Sequence, residues 1–156
     1  SPATLGRMIV RGQVPEATPR EAVRWYDLGL ERGDPWGGVN AADMILDGDV
    51  SGFTRAEALV RAAKALHLPG EEPAARARAL LERAEADDLS RAIQLLLNEL
   101  GASLAVDGVI GPNTRGAIER RAREAGIAVP RDARLDQLVA MAQVYWAENP
   151  VRSDIF

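Results

Sequence analysis

One stretch of this chain occurs twice. "RMIVRGQV" (Arg7 to Val14) aligns with "DMILDGDV" (Asp43 to Val50), pairing Met8 with Met44, Ile9 with Ile45, Gly12 with Gly48 and Val14 with Val50. The offset is 36 residues, and the same offset carries "TPREAV" (Thr18 to Val23) onto "TRAEAL" (Thr54 to Leu59). Self-similarity at this period constrains the fold strongly, because it marks stacked units that bury their apolar faces only against one another. Each Thr-x-x-Glu is a capping box, in which Thr18 or Thr54 accepts from the amide three residues on and Glu21 or Glu57 reaches back. Pro19 suits a first helical position, where its missing N–H would have had no partner anyway. The unit is thus one helix ending at a glycine (Gly12, Gly48), a short connection, and a second helix starting at the threonine. Between the copies, "DPWGGVNAADMIL" starts a helix at Asp34-Pro35, and Gly37, Gly38, Ala41 and Ala42 supply small side chains where helices approach closely. An all-α stack of helical hairpins is expected over residues 1–70. Trp25, Tyr26 and Trp36 are read as its core, and His67 as a surface or helix-end residue.

From Pro69 the pattern changes. "PGEEP" is a turn signal, and "AARARALLERAEA" reads as a connector helix within 71–86, its charges forming a solvated face. The remainder, 87–156, reads as a three-helix module. "DDLSRAIQLLLNELG" puts Leu89, Ile93, Leu96, Leu97 and Leu100 on one stripe, with Asp87 or Asp88 as cap and Gly101 as stop. A second helix runs from Pro112 to about Glu124 and ends at Gly126. A third begins near Asp132, with Leu135, Leu138, Val139, Ala142, Tyr145 and Trp146 on a common face. The loop "AVDGVIGPNT" (105–114) has local roles that need no ligand: positive φ at Gly108 and Gly111, a preset φ at Pro112, and acceptors at Asp107 and Thr114 for loop and first-turn amides.

Several functions are set aside by composition. A net charge of −4 and a pI near 5.1 disfavour a general phosphate-backbone binder, so no nucleic-acid partner is expected. With no Cys there is no disulfide or thiolate chemistry, and the single His67 cannot build a histidine metal cluster. No apolar run approaches the roughly 20 residues that span a bilayer. The chain opens Ser1-Pro2-Ala3 with no initiating Met and no signal-peptide pattern, and reads as a piece of a longer protein. It has no nucleophile elbow, phosphate-cradling glycine loop or HExxH. The carboxylate pairs Asp87/Asp88 and Glu71/Glu72 are adjacent and splay around a helix axis, whereas glycosidase carboxylates face across a cleft. No catalytic residue, metal or cofactor is expected.

Two resemblances add to this reading. "AVRWYDLGLERGDPWGGVNAADMILDG" resembles the Sel1-like repeat, a relative of the tetratricopeptide repeat, at Ala22, Trp25-Tyr26, Gly33-Asp34, Ala41, Met44 and Gly48, over about residues 3 to 68. It implies a helical stack whose concave face holds a protein partner. "IQLLLNELG" followed by "VDGVIGPNTRGAIE" resembles the peptidoglycan-binding domain family, over about residues 87 to 128. That resemblance implies a non-catalytic module attaching envelope proteins to the bacterial cell wall. It also implies a periplasmic or envelope location and a peptidoglycan or muropeptide ligand. Asp107, Asn113, Thr114 and Arg115 are the candidate ligand contacts, Asn113 and Arg115 foremost because their side chains are free to point outward. Where family members continue with an aromatic and Gln, this chain has Glu119-Arg120-Arg121-Ala122. Arg121 therefore needs a partner or a route to water. The basic run Arg115, Arg120, Arg121 and Arg123 is diluted by Glu119 and Glu124 and reads as a solvated face. The alternative is a pure protein-interaction scaffold, or the regulatory tail of a larger enzyme. An ion pair from Arg121 to the repeat half would point to a scaffold, and an open pocket beside the 105–114 loop to a ligand.

Overall fold

The computed structural model describes residues 2–10 and 18–151, which form eight α-helices and no strand. They are α1 (Pro2–Val10), α2 (Pro19–Glu31), α3 (Pro35–Leu46), α4 (Arg55–Leu66), α5 (Glu71–Glu82), α6 (Ala86–Glu99), α7 (Pro112–Ala125) and α8 (Arg134–Glu148). Helices α1 to α5 stack each against the next, α6 and α7 pack with α8, and both α6 and α8 also lie against α4. The fold is all-α, and among the described residues no helix is long and apolar enough to cross a membrane.

Helix boundaries follow local chemistry. Thr18 Oγ1 accepts the Glu21 amide at 3.2 Å and Thr54 Oγ1 the Glu57 amide at 3.2 Å, while the Thr54 hydroxyl donates to the Glu57 carboxylate at 3.3 Å. At the end of α3, Gly48 has φ +77°, which lets its amide donate to Ile45 O and the Asp49 amide to Met44 O. These two bonds satisfy carbonyls left open by the last turn. The matching Gly12 and Val14 lie outside the described residues.

The adjacent glycines of α3 explain how three helices come so close. A β-carbon at Gly37 would strike the Tyr26 carbonyl oxygen and lie 2.8 Å from Leu30 N on α2, and one at Gly38 would lie 2.8 Å from Arg61 O on α4. Helix α3 is thus wedged between two backbones, and only glycine fits on both sides. Helix α4 is alanine-rich all round. Ala56, Ala58, Ala62, Ala63 and Ala65 are all buried, so four helices (α3, α5, α6 and α8) can approach it. The buried apolar residues form one cluster from Ala3 to Val144.

Some positions differ from the sequence reading. Trp25 is exposed, at 37 %, although Tyr26 is buried and Trp36 half-buried. Neighbouring helical residues point about 100° apart, and Tyr26 takes the seam against Gly6 of α1, which turns Trp25 outward. Helix α5 is more than a solvated connector, since Pro73, Ala77 and Leu81 are buried where it continues the stack against α3 and α4. In α6 the predicted leucine and isoleucine stripe is buried, but the N-cap is Glu85, with no side-chain cap bond. Asp87 and Asp88 instead occupy the first turn, where the helix dipole favours carboxylates, and Asp88 pairs with Arg55 at 3.5 Å. Helix α8 begins at Arg134, and it buries Met141 and Val144 beyond the predicted face because it meets α4, α6 and α7 at once.

Polar contacts cross between α4 and the last helices. His67 caps α4, and its Nε2 donates to Val139 O of α8 at 2.6 Å. Trp146 Nε1 donates to Lys64 O at 2.9 Å, and Lys64 Nζ pairs with Glu99 at 3.2 Å.

Candidate functional site

The loop between α6 and α7 has no regular structure, so its backbone groups must find partners elsewhere. Two amide side chains one helical turn apart on α6 supply them. Asn98 Nδ2 donates to Leu104 O at 3.0 Å and its Oδ1 accepts the Leu104 amide at 2.8 Å, as a neighbouring strand would. Gln94, only 1 % exposed, is the hub of the loop. Its Oε1 accepts the amides of Asp107 (3.0 Å) and Gly108 (2.9 Å), and its Nε2 donates to Asp107 Oδ1 (2.9 Å), Val109 O (2.9 Å) and the Thr114 hydroxyl (3.3 Å). Asp107 Oδ1 also accepts the Val109 amide at 2.9 Å. The Val109 amide first, and Gln94 next, hold the Asp107 carboxyl below the ordinary carboxylate pKa.

The four candidate contacts therefore part company. Asp107 and Thr114 turn to Gln94, Thr114 being buried, and both hold the loop closed. Asn113 and Arg115 are exposed on the first turn of α7. Gly108 has the expected positive φ, +79°, but Gly111 does not. As the N-cap of α7 it is extended, with φ −88°, because a helix entry needs β-region backbone. Gln94 is not among the residues the sequence patterns single out. Its signal was a lone amide inside "AIQLLL", where a buried polar group demands partners.

Arg115 opens onto a groove of ≈ 320 Å³ between α7 and the segment leading into α8. Ile118, Ala122, Ile127, Val129 and Pro130 give it apolar walls, and Arg115, Arg123, Arg131 and Glu119 ring it. Gln137, buried at the start of α8, braces one wall by donating to Pro130 O (3.0 Å) and Arg131 O (2.8 Å) while accepting from Arg134 (2.9 Å). The groove is thus held in shape without a ligand. Among the described residues, none of the three guanidiniums, those of Arg115, Arg123 and Arg131, makes an ion pair or hydrogen bond.

Arg121 faces elsewhere. Its Nη1 lies 2.6 Å from Glu148 Oε1 of α8 and 3.7 Å from Glu124, and its Nη2 donates to Leu100 O at the end of α6. It ties together the ends of three C-terminal helices and, among the described residues, makes no ion pair with helices α1 to α5. The basic run thus divides into Arg115 and Arg123 at the groove, Arg121 as a tie, and Arg120 in solvent. Among the described residues no three His, Cys, Asp or Glu side chains come together to hold a metal. No family model matches this chain, and neither a curated protein nor a solved structure matches it.

Proposed function

We propose that this chain is a non-catalytic module of the bacterial cell envelope. Its Sel1-like hairpins hold a protein partner, and its C-terminal, peptidoglycan-binding-like helices locate that partner at the wall. The observation that carries the reading is the groove of Arg115, Arg123 and Arg131, three guanidiniums without a partner among the described residues, over an apolar floor in a chain of net charge −4. A guanidinium fork matches a carboxylate with two parallel bonds, so these three suit the carboxylates of a muropeptide stem. Ile118, Val129 and Pro130 suit its small aliphatic side chains, and Asn113 is exposed on the same helix end.

Exposed ion pairs contribute at most about 1 kcal/mol each, so one stem would bind weakly. A wall presents many stems at high local density, so weak single-site binding is read at a high load of sacculi. Co-sedimentation with purified sacculi at modest salt tests the reading. The chain is expected in the pellet and the Arg115→Ala/Arg123→Ala/Arg131→Ala variant in the supernatant. Failure of the unaltered chain to sediment removes the wall half. The alternative, a pure interaction scaffold, is favoured by one observation: α6 and α8 cover α4, and so supply the cap that two repeats need. That reading gains if the chain fails to sediment.

A further inference from the structure

Three hollows away from the arginine groove share lining residues. One of ≈ 520 Å³ runs along α2 past Glu21, Trp25 and Leu28 to Glu31. A second, of ≈ 160 Å³, lies where α2, α4, α6 and α8 meet and again includes Glu31, with Tyr145 and Trp146. The third, of ≈ 350 Å³, continues from Glu31, Tyr145 and Trp146 to Pro150. With Glu31 common to all three, they form a single trough that spans both parts of the chain.

The trough's inner cations are already engaged. Burial alone would lower the pKa of Arg61, but Asp27, with Glu57 and Glu99, outweighs it and keeps the guanidinium charged. That guanidinium is bidentate to Asp27 (2.7 and 2.9 Å) and lies 5.2 Å from the Phe53 ring centroid. Lys64 pairs with Glu99, and its Nζ lies 3.9 Å over the Tyr145 ring. Among the described residues, Glu21 and Glu31 on the rim have no ion partner, and Arg24 is the one cation there without one. Desolvation first, then Glu99 and Glu31, raise the Tyr145 pKa, as negative charge around the hydroxyl must. Trp25 and Leu28 add apolar surface along the same face of α2.

We infer that this trough docks a lysine- or arginine-bearing peptide segment of a partner protein, its cation beside Glu31 and an aliphatic side chain against Trp25 and Leu28. The inference names the partner surface of the adaptor reading and rests on it only for the partner being a protein. The Glu31 carboxylate meets the cation while Trp25 and Leu28 cover the aliphatic side chain, and a segment lying in the trough touches α2, α4 and α8 together.

Fluorescence anisotropy with a labelled peptide of lysine, leucine and glycine tests this, against a counterpart in which glutamate replaces lysine. The lysine peptide is expected to bind and to weaken with salt, and the glutamate peptide not to bind. Trp25→Ala/Glu31→Gln alters exposed positions, so its unchanged circular-dichroism melt would certify the fold while its affinity falls about tenfold. Equal binding of the two peptides, or full binding by the double variant, overturns the proposal. So does a dimer of the free chain in sedimentation equilibrium that Trp25→Ala dissolves, because the occupant would then be a second copy. The double variant should still co-sediment with sacculi to the unaltered extent; a parallel loss would overturn the separation of the two surfaces.

Discussion

Replacing Gln94 with leucine tests whether the 105–114 loop is a structural closure. Leucine nearly matches the volume of glutamine, so the change removes hydrogen bonds with little change of volume. Lost are two acceptor bonds to the amides of Asp107 and Gly108, and two strong donor bonds to Asp107 Oδ1 and Val109 O. At a net value of about 1 kcal/mol each they amount to about 4 kcal/mol. Asp107 is exposed and Gly108 half-buried, so water can replace part of this, leaving about 2–3 kcal/mol. For a chain of this size that is a fall in Tm of about 5–10 °C. Urea and thermal unfolding followed by circular dichroism measure it. A Gln94→Leu protein within about 0.5 kcal/mol of the parent would refute the reasoning. Asp107 and Thr114 would then not depend on Gln94, and their polar atoms would again be candidates for a ligand.

Further outcomes follow from the packing, the hydrogen bonds and the charge of single positions. Gly37→Ala should destabilise by about 2–3 kcal/mol in urea unfolding, since its methyl would meet the α2 backbone. Gly116→Ala, in a helix and with nothing within 4 Å of the added carbon, should stabilise by about 0.5–1 kcal/mol. Arg121→Met removes the bond to Leu100 O and the Glu148 pair; with Glu148 partly exposed, the loss discounted for solvent is about 1–2 kcal/mol in the same assay. Because the Asp107 pKa is depressed in the folded chain, its contribution is complete above the ordinary carboxylate pKa and disappears as pH falls through the folded value. Amide-exchange protection of Val109 should therefore persist through the range where an ordinary aspartate titrates and fall below it, and Asp107→Asn should remove that acid limb.

The parts legible in sequence are those whose chemistry is local. Thr18 and Thr54 reach amides three residues on, and Gly48 needs only its own φ, so short patterns announce both. What stayed hidden depends on a distant neighbour. Trp25 and Tyr26 are equally aromatic, and only the place of Gly6 against Tyr26 decides which faces inward. Helix α5 looks solvated by charge, yet Ala77 and Leu81, one turn apart, suffice to seat it on the stack. Arg115 and Arg121 are both arginines of one helix. Their roles diverge because Leu100 O and Glu148 lie within reach of one, while the other opens on a groove whose wall is held by Gln137, a residue 22 positions later.

Helix α8 lines both proposed surfaces, Gln137 standing at the arginine groove and Tyr145 and Trp146 at the acidic trough, which raises the question of coupling between them. Coupling requires a second arrangement for which the ligands have unequal affinity. Nothing in α8 offers one. It contains neither glycine nor proline, and Leu138, Met141, Ala142 and Val144 are buried against α4, α6 and α7, where a shift would open voids on several sides. The two sites should therefore bind independently, with the affinity for the lysine peptide unchanged, within about twofold, when a dicarboxylic acid peptide saturates the groove. Any gain from joining wall and partner would then come from tethering alone. Anisotropy titration of the first peptide at increasing fixed concentrations of the second measures this directly. A shift of tenfold or more would mean that α8 has a second position and that its close-packed burial does not fix it.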